Sequence, residues 1–168
     1  MWKPNEANVG IAVVRRWYAP RLFAVVNNAS WGLQLSEADI YAVSKTGVTH
    51  EVEVKVSAGD LRADARKQRW KNKPIEWQSN FYWLAVPAEL AVLAAERAAQ
   101  IDGCGVYVVH APDDAVDWRN MLYGQCVRMI AARRHECSRA DGRDLRNKVW
   151  RLAALRYWDR LISRADYS

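Results

Sequence analysis

Asp39, Glu53 and Lys55 are the residues of this chain whose types and spacing suit chemistry. Two carboxylates at close range repel each other unless positive charge lies between them. A hard divalent cation such as Mg2+ or Mn2+ meets that need, because it takes oxygen ligands, uses one or two carboxylates and keeps several waters. An amine beside such a site orients or deprotonates water and stabilises an oxyanion. Together these parts suit metal-assisted hydrolysis of a phosphodiester.

The residues come together only if two strands hold them. Residues 38–56 read as a β-hairpin. In the second strand Val52, Val54 and Val56 alternate with Glu51, Glu53 and Lys55, and alternation at period two separates an apolar from a charged face. The first strand has the same phase, with Ile40 and Ala42 on one side and Asp39, Tyr41 and Val43 on the other. Lys45-Thr46-Gly47 fits a three-residue loop in which Gly47 supplies the left-handed position. That loop sets Ser44 against Val48 and Asp39 against Glu53. A slip of one residue would turn the acidic row to the other face. The competing reading is an open sheet face on which Glu and Lys pair across strands in solvent.

Asp39 followed by Glu53-Val54-Lys55 resembles the D…(D/E)-x-K core of the PD-(D/E)XK nuclease superfamily. The run from Glu53 to Asp64, EVKVSAGDLRAD, is similar to the E-x-K-S-S-x-x-D-[FL]-R-x-D run of MmcB-like DNA repair proteins, and Ala38-Asp39-Ile40 to their A-D-[VI] strand start. The likeness spans roughly residues 30–90. Ala38 stands where the superfamily has its proline, and Val56 where the MmcB-like run has its first serine. The resemblance implies a restriction-endonuclease-like αβββαβ core with a mixed central sheet. It also implies Asp39 and Glu53 as metal ligands with the carbonyl of Val54, and Lys55 as the group that orients water or stabilises charge. Superfamily members often carry a Glu on the first helix near the metal, which makes Glu6 a candidate. They often carry a supporting Gln or Lys on the helix after the third strand, which points to Lys67 and Gln68. Glu51 and Asp60 are further supporting candidates. The implied substrate is DNA in repair or processing, single-stranded, branched or damaged.

The chain has 168 residues, a net charge of +6 and 51% hydrophobic residues. That length suits one core with an extension, and the positive balance favours a polyanionic partner. No apolar run reaches the ~20 residues that span a bilayer, and the N-terminal residues lack the apolar stretch of a secretory signal. Three cysteines without a C-x-x-C pair suit a reducing cytoplasm. The nine tryptophans are read mainly as packing residues in the core or an interface, and a homo-oligomer is a further expectation.

Taken in order, Asn5 caps a helix to about Tyr18, with Val9, Val13 and Trp17 on its inner face and Pro20 as its stop. Residues 21–29 read as a strand. Asp60 caps a helix to about Lys71, with Leu61, Ala65 and Gln68 inward. Its basic series, Arg62, Arg66, Lys67, Arg69, Lys71 and Lys73, is placed to take phosphates. Trp70 and Trp77 bracket the loop that follows. A strand over 80–87, an Ala-rich helix to Gln100 and a strand over 106–110 complete a nuclease-like core over 1–112. Residues 117–134 and 143–164 read as two helices of a C-terminal extension over 113–168, packed on the core or mediating oligomer or DNA contact. The last carries a stripe of Val149, Leu152, Leu155, Leu161 and Ile162. The expected activity is a divalent-metal-dependent DNA nuclease. The alternatives are a nuclease-fold DNA-binding protein without cleavage that acts with a partner, and an interaction protein whose tryptophans form an interface.

Overall fold

The computed structural model describes residues 2–29, 38–66, 77–112, 124–137 and 142–165. Side chains of the last segment are described over 144–157. The expected roles of Lys67, Gln68, Arg69, Trp70, Lys71 and Lys73 therefore lie outside the described residues.

The sequence begins with a capped helix, α1 (Glu6–Val13). The Asn5 side chain accepts from the Asn8 N–H at 2.9 Å, and the Asn8 side chain accepts from the Asn5 N–H at 2.8 Å. This reciprocal box satisfies two donors that a helix start leaves open. The α-helix does not run to Tyr18. It passes into a π-helical turn, Val14–Tyr18, and then a short 3-10 turn, Ala19–Arg21, which contains Pro20. In a π turn the repeat is nearer five residues than four. Tyr18 therefore follows Val13 on the inner face and is buried, whereas Trp17 is only partly buried. Trp17 also packs on this core, stacked on Tyr107 with ring centroids 5.5 Å apart, so the π turn brings Tyr18 in beside it. Leu22 takes a left-handed φ of 55°, which shortens the first strand to β1 (Ala24–Asn27).

The hairpin forms as its pattern requires. β2 (Ile40–Val43) and β3 (Thr49–Val54) are antiparallel, with Ile40 opposite Val52 and Val43 opposite Thr49. Gly47 has φ 82°, and Ser44 donates to the Val48 carbonyl at 2.8 Å. Helix α2 (Ala58–Asp64) leads to β4 (Phe81–Pro87), parallel to β3. Then come α3 (Ala91–Ala99) and β5 (Gly105–His110), parallel to β4. The result is an α/β fold in the order αβββαβ, extended by further elements.

Residues 125–130 depart from the expected helix. They form β6 (Gln125–Ile130), antiparallel to β5, with Cys126 buried between exposed neighbours. Gln, Arg and Met carry good helix propensity, but pairing with β5 decides the conformation, as tertiary context commonly does in strands. The sheet order is β1-β2-β3-β4-β5-β6, so this part of the chain belongs to the sheet of the core rather than to a helical extension. The final helix, α4 (Gly142–Ala165), forms as expected.

The sheet is covered on both faces. On one, α1 and the π turn place Val9, Val13 and Tyr18 on Ile40, Val52, Val54, Trp83 and Tyr107. On the other, Leu61 of α2 and Ala94 and Ala98 of α3 pack on Tyr82, Leu84, Val106 and Val108. Leu145 and Val149 of α4 cover Ala24, Val26, Tyr41 and Val43. Leu155, expected in the α4 stripe, is exposed, while Leu145, Val149, Leu152 and Ala153 supply the apolar contact with the sheet. Cys104, Cys126 and Cys137 are free thiols. Among the described residues no helix is long and apolar enough to cross a membrane.

His50 lies on the α1 face among Tyr18, Phe23, Phe81 and Trp83. Its Nδ1 accepts from the Trp83 indole at 3.1 Å. Burial lowers its pKa from 6.5 to about 4. Between those values the unfolded chain takes up a proton that the folded chain refuses, so this contribution to stability is complete above pH 6.5 and lost as pH falls toward 4. Urea unfolding at pH 7 and pH 4.5 is expected to show a loss of about 1–3 kcal/mol from this group. His50→Gln, which keeps an acceptor for Trp83, is expected to remove that acid-side loss.

Candidate active site

The charged face of the hairpin is buried rather than solvated. Glu51, Glu53 and Lys55 are 2%, 1% and 9% exposed, which removes the open-face reading. The Lys55 ammonium donates to Glu53 Oε2 at 2.7 Å and lies 3.6 Å from Asp39 Oδ2. The three residues singled out from the sequence thus converge. A buried charge is costly unless paired and hydrogen-bonded, and this cluster meets that condition by placing one cation between two acids.

Asp39 reaches its position because the strands part at this end. Two residues beyond the Ile40–Val52 pair, Val54 would face Ala38. The Ala38 carbonyl instead accepts from Ala29 at 2.7 Å, on the β1 side. The Asp39 carboxylate takes the orphaned Val54 N–H at 2.7 Å. Lys55 stays on the sheet through its N–H to the Ala85 carbonyl of β4 at 2.9 Å. The hairpin therefore opens around Asp39 while β3 remains fixed on its other side.

A cleft of about 320 Å3 opens over the cluster, lined by Glu6, Asp39, Val54, Lys55, Asp60 and Asp64 among others. Glu6 arrives from the first turn of α1. Asp60 is not the helix cap: Ser57 is, accepting from the Asp60 N–H at 3.1 Å, while its hydroxyl donates to the Asp60 carboxylate at 2.7 Å. Ala65, expected inward, is exposed; Asp64 is buried in its place. The frame shift follows from where the helix starts, since Leu61 and Asp64 share its inner face. Asp64 pairs with Arg97 of α3 at 3.3 Å. Sequence reasoning missed Asp64 because a helical acid amid Arg and Lys reads as a solvated charge. Its three-residue spacing from Leu61 was the available signal. Arg62 and Arg66 are exposed and do not line the cleft, so the face of α2 turned to the site is acidic. Glu51 is buried in the hairpin opposite Tyr41 and is not part of the cleft lining. Trp77 stacks on His135 at 3.6 Å, a packing role.

Burial raises Asp39 from 3.8 to about 6, and the charges of Glu53 and Glu6 add to the rise against Lys55 and the Val54 N–H. Burial alone would lower Lys55, but Glu53, Asp39 and Asp64 outweigh it and the amine is raised. Lys55 is therefore an ammonium at neutral pH. Among the described residues no group of three His, Cys, Asp or Glu side chains is arranged to hold a metal ion. The carboxylates that line the cleft, Glu6, Asp39, Asp60 and Asp64, are oxygen ligands of the kind a hard cation takes, whereas Glu53 does not line it and its Oε2 is taken by Lys55.

The sign for Asp39 is opposite to that for His50. Between pH 3.8 and about 6 the folded chain holds a proton that the unfolded chain has lost, so stability falls as pH rises through that window. Asp39→Asn keeps an acceptor for the Val54 N–H and removes the repelled charge. It is expected to raise stability by about 1–3 kcal/mol at pH 7 and to leave it unchanged near pH 3.5. Mg2+ is expected to raise the melting temperature of the wild type and not that of the variant.

No family model matches the chain, and no curated protein does. Among solved structures it is similar to a protein of unknown function from Silicibacter pomeroyi, with 17% identity over 96% of this chain and 94% of that chain and a TM-score of 0.62. At that identity the likeness is one of fold, shared across nearly the whole chain.

Proposed function

We propose that the protein is a divalent-metal-dependent DNA nuclease acting in DNA repair or processing in the cytoplasm. The observation that carries this reading is the convergence of Asp39, Glu53 and Lys55 at an opened hairpin end. The resemblance of residues 39–64 to the PD-(D/E)XK core and the MmcB-like run supports it, as does the net charge of +6. Asp39 and Glu53, with the Val54 carbonyl, would hold Mg2+ or Mn2+, and Glu6 would face it from α1. Bound there, the cation would polarise a phosphodiester and lower the pKa of attacking water. Lys55, released from part of its pairing with Glu53, would stabilise the charge that develops on the phosphoryl oxygens. Asp39 must be ionised for this, so the reaction weakens below pH 6. Arg62 and Arg66, exposed on α2, would contact the DNA backbone at the margin of the cleft.

A second reading, a DNA-binding protein with this fold and no cleavage, is favoured by the seal on Glu53, which is 1% exposed and bonded to Lys55. Labelled single-stranded, duplex and branched DNA incubated with Mg2+ or Mn2+ separates the two. Metal-dependent cleavage is expected, rising about tenfold per pH unit below pH 6 and levelling above it. Asp39→Asn should lose about 10²-fold or more in rate while binding DNA and melting no lower than wild type. Salt-sensitive binding without cleavage under every condition would give the function to the second reading.

A further inference from the structure

A second groove, of about 450 Å3, adjoins the acidic cleft and shares Glu6, Asp39 and Val54 with it. It runs between α1 and the β1–β2 edge. Its volume is that of a small-ligand site. Its floor and near wall are aliphatic, built from Ile11, Val14, Val25 and Ile40. Gly10 opens it: a Cβ at that position would stand 3.4 Å from Ile40 Cδ1 and 3.9 Å from Val54 Cγ2, in the space between helix and sheet. The far end is polar, with Asn27, Asn28 and Arg15.

Two features of the far end bear on the ligand. The Asn28 backbone is held on both sides, its N–H by the Asp39 carbonyl at 2.8 Å and its carbonyl by Arg156 of α4. Asn27 and Asn28 are exposed, and each side-chain amide offers both a donor and an acceptor. A flat ring with a hydrogen-bonding edge suits an aliphatic slot that ends in two amides. A phosphate alone does not, since the one arginine of the slot is outnumbered by the carboxylates of Glu6 and Asp39. A bare alkyl chain does not either, since it would leave the amides unused.

Resting on the nuclease reading, we infer that this groove receives an unpaired nucleobase of the DNA strand whose phosphate lies over Asp39. The base would lie against Ile11 and Val14 with its edge on Asn27 or Asn28. A base held in a duplex is stacked and paired, so it enters such a slot only by leaving the stack. The groove therefore selects single-stranded, frayed or flipped-out substrate.

The test compares a short single strand, the same strand with one abasic site at each position in turn, and the matched duplex. Binding is measured by fluorescence anisotropy in Ca2+ at fixed salt, and cleavage in Mg2+. For the wild type, one abasic position is expected to weaken binding about tenfold, the scale of one lost base contact. Gly10→Val, which fills the slot, and Asn27→Ala, on its exposed wall, should each shrink that difference, with circular dichroism and melting showing both folded. Equal binding of intact and abasic strands at every position overturns the groove assignment, as does cleavage of duplex and single strand at the same rate. Base-dependent binding without cleavage of any substrate keeps the groove and overturns the hydrolytic reading. A dimer that Gly10→Val dissolves would assign the groove to a second copy and overturn the base site.

Discussion

One buried amine governs the arrangement of this protein. Lys55 is 9% exposed, yet it is held as an ammonium by Glu53 at 2.7 Å and Asp39 at 3.6 Å. Without it, Glu53 would be a carboxylate in a nearly dry interior, which folding does not tolerate. Without the acids, the amine itself would lose its charge to burial. The neutralisation remains incomplete at Asp39, whose carboxyl is pushed up to about 6 first by burial and then by the charge of Glu53, and that position is maintained at some expense to stability.

The fold holds that balance by fixing one strand and releasing its neighbour. β3 lies between β2 and β4, antiparallel to one and parallel to the other. At its end only the β4 side continues, and Asp39 uses its side chain where the β2 backbone has turned away. α1 brings Glu6 over the gap from one face. From the other, α2 brings Asp60 and Asp64, and Arg97 of α3 pairs with Asp64. The opened hairpin and two helices, one of them from the start of the sequence, thus enclose one cavity.

The hairpin and its register were legible because they rest on local rules. Period-two alternation assigns the faces, and Gly47 fixes the loop, which places Asp39 against Glu53 without tertiary information. The parallel pairing of β3 and β4 followed from an intervening helix. What remained hidden depends on contacts. β6 is a strand because β5 offers it an edge. Tyr18 joins Trp17 against the core because a π turn breaks the four-residue repeat. The degree of burial was hidden too, since Glu51, Glu53 and Lys55 look like a solvated face until α2 and α3 are laid over the sheet. Asp64 was visible as a residue but not as a member of the site, because its burial depends on the α2–α3 packing.

The placement of β3 away from either edge of the sheet also bears on motion. Backbone groups with ladder partners on both sides exchange their amide protons only in large openings, whereas strand ends and loops open cheaply. Residues 50–52, paired on both sides, therefore belong to the stiffest part of the molecule. Glu53 and Val54 keep ladder partners on the β4 side alone, so the cleft floor is anchored from β4 and can part on the β2 side.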